Sequence, residues 1–443
     1  MGKLHRICQL EIHFLAQDVC QYYRGLYHNQ SNFNYLSEER LGYIEGTKGA
    51  IVKEQRNRST IHDFGYRMEF DYRPNVWNHI RFGSNYMHHL FVPQNYYSKY
   101  DDASPNALTD QIISRYRSNE FTFYAEDDLS VGKHVKLNGG VHYTLFGISG
   151  TKYHSIEPRA AIHLRLCDKA SLKVSYTEMS QFMHQLSATY LNLPTDYWVP
   201  STALITPMKS RQYAAGVYGK LPYGIRWNLE GFYKTLDNLI EYDGSSGVLN
   251  PTADRWENEV RTGKGKAYGM ETDVSYSNGK TSVDASYTLS WSKRYFPDFY
   301  PAWYPDKFDN RHKLNIAFRH KFDDHIDAYA AWVYRSGDRA TVPTQYVNGP
   351  SFPGTPDSSE PELIYEKPNN ITLPAYHRLD LGANFRRITK RGFERIWNIS
   401  VYNAYCRMNA FYTRIERLPD GGFRGKGFGI FPIIPSFCYT LKF

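Results

Sequence analysis

The sequence predicts an all-β fold, an antiparallel transmembrane outer-membrane β-barrel, on three observations. The first is composition. Among 443 residues there are 38 Tyr and 25 Phe, and aromatics make up 16%, yet the mean hydropathy is −0.59. A barrel needs this combination, because half of each strand faces lipid, half faces a wet lumen, and aromatics mark both interfaces. The second is period-two alternation. The third is a sided rhythm of short and long connections. No apolar run approaches the roughly 18 residues that a membrane helix requires. The longest, near 428–435, is interrupted by Pro432 and ends at Pro435.

The alternation is clearest in VDASYTLSWS at 283–292. Val283, Ala285, Tyr287, Leu289 and Trp291 fall on one face, and Asp284, Ser286, Thr288, Ser290 and Ser292 on the other. Ten extended residues reach about 33 Å, enough to cross a bilayer at a tilt. Leu172, Val174 and Tyr176 repeat the pattern, as do Ile225, Trp227 and Leu229, and Ile326, Ala328, Ala330, Trp332 and Tyr334. Short turns are signalled at Pro74-Asn75, Gly132-Lys133, Asp168-Lys169, Pro222-Tyr223-Gly224, Asn278-Gly279, Asp323-Asp324 and Lys390-Arg391-Gly392. Between them lie longer links at 93–116, 186–207, 242–264, 294–310 and 336–376, with a moderately long one near Gly150. Tight turns on one side and elaborated loops on the other are the rhythm of an up-and-down barrel. The hairpins sum to about sixteen strands, running from near residue 17 to Phe443, with an atypical segment at 1–16.

Other classes fare poorly. Lys and Arg number 53 against 45 Asp and Glu, a formal charge of +8. The charges are interspersed, without the basic block that nucleic-acid binding requires. Cys8, Cys20, Cys167, Cys406 and Cys438 are odd in number and scattered, which is no disulfide framework and no zinc site. There is no G-x-S-x-G and no H-E-x-x-H, so the chain reads as no enzyme. His88 and His89 are adjacent in a strand and point to opposite faces, so they do not chelate one ion. Glu126-Asp127-Asp128 and Asp323-Asp324 are read as lumen and turn polarity. No metal and no cofactor are expected.

Several segments together resemble a known family. They are FYAEDD at 123–128 with LNGGVHY at 137–143, IEPRA at 156–160, DNRHKLN at 309–315 and LPAYHRLDL at 373–381. VYNAY at 401–405 with NAFY at 409–412, FPIIP at 431–435 and the terminal YTLKF complete the set. In order along the chain, they resemble the C-terminal barrel of TonB-dependent outer-membrane receptors, in the branch with an N-terminal carboxypeptidase-regulatory-like domain. The resemblance implies a Gram-negative outer-membrane location in contact with outer-membrane lipid. It implies active uptake of a scarce nutrient ligand, driven by the TonB complex through a plug and TonB box, with a surface lipoprotein as a further partner. Family barrels have 22 strands, so about sixteen are present, covering 17–443. Neither plug nor TonB box is recognised, and MGKLHRICQLEIHF lacks the apolar core of an export signal. The expectation is the C-terminal part of a longer or truncated receptor.

Within that reading the external aromatics are the ligand-binding candidates: Tyr197 and Trp198 in one loop, and Tyr300, Trp303 and Tyr304 in another. Flat rings stack on sugars and planar chelates and are desolvated at small entropic cost. The same residues also suit an interfacial girdle or loop-on-loop packing. Lys173, Arg226 and Lys313 are assigned to the lumen, either facing an anionic ligand or pairing with lumen acids such as Asp284 and Glu230. Two rival functions remain. A passive porin-like channel predicts conductance from this chain alone, and a soluble β-sandwich predicts solubility without detergent.

Overall fold

The computed structural model describes residues 6–15, 20–43, 50–101, 109–186, 197–242, 256–298, 300–347, 362–390, 392–417, 423–429 and 431–443. Most of them belong to one 18-stranded sheet. Besides the two-residue strand Tyr304–Pro305, its members are β1 (Arg6–Leu15), β2 (Cys20–Tyr43), β3 (Ala50–Tyr72), β4 (Asn78–Asp101), β5 (Thr109–Val131), β6 (Val135–Ile148), β7 (Thr151–Cys167), β8 (Ala170–Gln181), β9 (Met208–Lys220), β10 (Arg226–Tyr242), β11 (Val260–Ser277), β12 (Thr281–Tyr295), β13 (His312–Lys321), β14 (Ile326–Arg335), β15 (Tyr376–Ile388), β16 (Glu394–Tyr402) and β17 (Ile434–Lys442). Each pairs antiparallel with the next in the chain. The sixteen strands from Cys20 onward match the number expected. The N-terminal segment, set apart in the sequence, adds β1, which runs against β2 from Arg6↔Gln30 to Leu15↔Gln21. Among the described residues β1 and β17 carry one neighbour each, so the sheet is open between them.

The register gives the sheet two chemically distinct faces. One cross-strand row reads Val274↔Ala285, Ala285↔Ile316, Ile316↔Trp332 and Trp332↔Leu379. One residue along, the row reads Asp273↔Ser286, Ser286↔Asn315, Asn315↔Val333 and Val333↔Arg378. The apolar face is the bare one: Ile156 is 69% exposed and Phe437 62%. A row of exposed branched and aromatic side chains several strands wide is far larger than the apolar patches of soluble monomers. It has the chemistry of a lipid-facing belt. Aromatics border the belt at both ends. Towards the long loops Tyr66, Tyr86 and Phe121 follow one another at 5.9 and 4.5 Å, and Tyr233, Tyr268 and Trp291 at 6.3 and 5.4 Å. At the other end Phe70 stacks on Phe82 at 5.0 Å and Trp397 meets Tyr439 at 4.8 Å.

The short turns fall where expected, and three use one device. Asn75 Oδ1 accepts from the backbone N–H of Trp77 and Asn78, Asn278 Oδ1 from Lys280 and Thr281, and Asp323 Oδ1 from His325 and Ile326. The side chain replaces backbone partners that the reversal removes, which is why Asn and Asp sit there. The connection near Gly150 differs from expectation. Ser149 and Gly150 (φ 45° and 86°) turn the chain in two residues, and the ladder closes at Ile148↔Thr151. Two successive positive φ values make the tightest hairpin, and its twist matches the strands. The link at 93–116 is also largely strand, since β4 continues to Asp101 and β5 begins at Thr109.

The two faces can be told apart by substitution. Ile316→Arg puts a charge on the apolar face near mid-strand and is expected to lower folding stability by about 2–4 kcal/mol. Asn315→Arg, one residue away on the polar face, is expected to cost under about 1 kcal/mol. Urea unfolding in lipid vesicles, followed by tryptophan emission, measures both. Equal costs would reject the assignment of faces.

Candidate functional site

The polar face is an ionised wall. Arg81 on β4 reaches Glu126 at 2.9 Å and Asp128 at 3.1 Å on β5. Arg319 and Arg386 hold the buried Asp327 carboxylate at 3.3 and 3.0 Å, and Asn384 donates to it at 2.9 Å. Charges are tolerated there because each pairs across a strand or meets water, whereas the same groups on the other face would meet hydrocarbon. Of the acids read as lumen polarity, Glu126 and Asp128 do this work by holding Arg81, whereas Asp127, one residue over, falls on the opposite face in register with Ile80 and accepts from Asn78 at 2.8 Å near the short turn. Glu230 accepts from Tyr218 at 2.6 Å, not from the lysines or arginines expected beside it. His89 is buried on the polar face with Asp63 at 2.7 Å, while His88, on the opposite face, meets Asn119. Lys173 lines a cavity of about 1050 Å³ and Arg226 one of about 400 Å³, both at the short-turn end of this face.

At the long-loop end the strands rise beyond the belt and their connections pack on one another. Trp256, Leu186, Val199, Ile205, Ile240, Tyr242 and Val260 form one buried cluster drawn from two connections and the strand ends beside them. Met183–Leu186 pairs with Tyr197–Pro200 to make a short hairpin beside it. Burying Trp256 completely anchors the 3₁₀ turn Trp256–Glu259 to that hairpin, and Tyr116 donates to Glu257 at 3.1 Å.

A second, ionic lock holds the connections after β12 and β14. Tyr304 is fully buried and donates to Glu241 at 3.1 Å. Arg294 lies 3.6 Å from Glu241 and 3.1 Å from Asp306. Asp309 accepts from Ser292 N–H and pairs with Arg311 and, at 3.7 Å, Arg339. Asn310 donates to Asp338 at 2.6 Å, and Asn369 to the Pro305 carbonyl at 2.9 Å. Burial pushes the Glu241 carboxyl above the usual carboxylate range, with Arg294 pulling the other way. Burial disfavours the Arg294 charge, but Asp306 and Glu241 outweigh it and raise its pKa. The network is a buried charge cluster in which each member holds the others in place.

The five aromatic candidates separate on this scaffold. Trp198 stands exposed on the short hairpin. Tyr197 lies beside it opposite Leu186, its side chain outside the described residues. Tyr300 meets Tyr304 edge to face at 6.3 Å. Trp303 is exposed, stacks on Tyr295 at 5.5 Å and carries Lys266 Nζ 4.1 Å above its ring. Tyr304, expected to present its ring to a ligand, is instead the buried hydroxyl of the lock. The sequence reading missed Glu241, Arg294 and Trp256. Tyr304 and Glu241 are 63 residues apart, and no local pattern joins them.

A meander with an apolar outer face, an ionised inner face, tight turns at one end and interlocked loops at the other is the wall of an outer-membrane barrel. The chain belongs to the TonB-dependent receptor-like β-barrel family, whose sequence profile matches residues 13–404. No curated protein matches the sequence. Solved structures share the fold. The pyoverdine outer-membrane receptor FpvA of Pseudomonas aeruginosa is 14% identical with a TM-score of 0.60, over 98% of this chain and 60% of that one. The FrpB iron transporter of Neisseria meningitidis (F5-1 variant) is 14% identical with a TM-score of 0.57, over 95% of this chain and 64% of that one. BauA, the ferric preacinetobactin receptor of Acinetobacter baumannii, is 13% identical with a TM-score of 0.57, over 97% and 60%. The chain spans less than two-thirds of each of these proteins.

One buried histidine ties the stability of the loop scaffold to pH. His184 is buried on the short hairpin with Ser201 Oγ at 3.1 Å, and burial pushes its pKa from 6.5 to about 4, partly offset by a hydrogen bond to the Thr206 backbone. The folded loop therefore holds the neutral imidazole. Its stabilisation is complete above pH 6.5 and is lost as pH falls towards 4. Protection factors for exchange, the observed rates corrected for the intrinsic rate at each pH, are expected to fall over that window at 183–186 and 197–205, and His184→Gln to flatten the dependence. A pH-independent protection factor in the native chain would contradict the assignment.

Proposed function

We propose that the chain is the barrel portion of a TonB-dependent outer-membrane transporter. The observation that carries this reading is the two-faced wall bordered at one end by interlocked connections. The outer mouth captures a scarce ligand, and the inner wall holds a plug that the TonB complex displaces. No covalent chemistry is required of the barrel. The descriptions of FpvA, FrpB and BauA name pyoverdine, iron and ferric preacinetobactin, and on that similarity a ferric chelate is the ligand class proposed. Trp198 and Tyr300 are its proposed contacts, Tyr197 stands beside Trp198, and Tyr304 serves by holding the loop. A surface lipoprotein is a further proposed partner. A passive porin-like channel is the weaker reading, because family membership favours a gated receptor.

The full chain, expressed with an export signal and extracted in detergent, is titrated with ferripyoverdine and ferric preacinetobactin. Saturable quenching of tryptophan emission is expected with at least one of them. Trp198→Ala is expected to weaken it about tenfold, the loss of one aromatic contact of about 1.5 kcal/mol. Saturable binding that Trp198→Ala leaves unchanged would remove the assigned site. Steady ion conductance in planar bilayers, without ligand binding, would favour the porin instead.

A further inference from the structure

The outer face carries a basic patch that neither ligand capture nor the lumen explains. Lys266 on β11 and Lys293 on β12 are directly opposed partners in the ladder. Their register neighbours Tyr268 and Trp291 belong to the outward aromatic border, so both lysines lie on that same face, two residues beyond it. Like charges placed directly opposite destabilise a strand pair. No acid relieves this one among the described residues. The nearest acid in the ladder, Asp237, faces Lys264 and is engaged by Arg211 at 3.3 Å. The lysines are positioned by rings instead: Lys266 over Trp303 at 4.1 Å and Lys293 over Tyr268 at 6.0 Å. Arg311, half-neutralised by Asp309, sits over Trp291 at 5.3 Å.

From these positions we propose a binding site for the phosphate of an outer-leaflet lipid headgroup. A phosphate lies where the hydrocarbon belt ends, and its charge converts the repulsion between Lys266 and Lys293 into a shared contact. Trp303 then serves as the wall of a headgroup site, with its ring holding Lys266 in place. The inference rests on the outward, membrane-facing assignment of this face and not on any transport activity.

The test uses the full chain in non-ionic detergent, with folding checked by unheated gel mobility. Lipid A, dephosphorylated lipid A and inorganic phosphate are the probes, and native mass spectrometry is the readout. Lipid A is expected to bind about thirtyfold more tightly than its dephosphorylated form, about fivefold for each lysine. Lys266→Gln with Lys293→Gln is expected to erase that preference, and Lys266→Arg with Lys293→Arg to keep it. Millimolar inorganic phosphate is expected not to displace the lipid. An undiminished preference in the glutamine pair overturns the proposal, and displacement by inorganic phosphate overturns the lipid assignment. Should the glutamine pair fail the gel check, the native chain still decides, since equal binding of the two lipids overturns it. A chain that is water-soluble without detergent would instead defeat the membrane assignment itself.

Discussion

Everything in this molecule depends on the hydrogen-bond ladder between neighbouring strands. In hydrocarbon a backbone N–H or carbonyl without a partner costs several kcal/mol, and only helices and sheets paired on both sides satisfy every one of them. With no helix long and apolar enough to cross a membrane among the described residues, the chain runs as an antiparallel meander in which each strand of the main sheet pairs with the next. The ladder also fixes the register, and the register alone decides which side chains meet lipid. Ile316 and Asn315 are adjacent in sequence, yet one shares a row with Trp332 and the other with Ser286.

Once the two faces are separated, electrostatics divides the labour. On the inner wall, the part-exposed Arg81 and Arg386 pair across strands, Arg81 with Glu126 and Arg386 with the buried Asp327. Beyond the belt, Glu241, Arg294 and Tyr304 are buried among loops, where losing one partner strands the others. The first arrangement maintains a polar surface. The second fixes the conformation of long connections that have no strand neighbours of their own. Apolar packing around Trp256 does the same for the neighbouring hairpin.

The parts of the fold legible in the sequence are those set by local rules. Alternation at 283–292 placed Val283 and Trp291 outward correctly, because a strand crossing lipid has no freedom to break period two. Asn75, Asn278 and Asp323 marked turns because each turn uses the side chain's own oxygen. Legibility ends where the strands leave the membrane. Phe146 and Ile148 occupy inward positions but are apolar, because they pack with Phe182 under the loops. The alternation blurs there, and the tight turn at Gly150 was read as a longer link. The candidate site suffered most. Tyr304 was legible as an aromatic in an external loop, but its burial depends on Glu241 and Arg294, which the fold brings from two other strands. Lys266 and Lys293 were legible singly, while their opposition needed the register.

The lock around Asp309 bears on how such a mouth can change over generations. The residues that set its shape are buried and mutually dependent, whereas Trp198 is exposed and rests on the scaffold without supporting it. Substitutions at the rim therefore alter the presented chemistry without disturbing the frame, and substitutions in the frame lose the shape altogether. A wall built this way can vary its rim while its frame stays fixed.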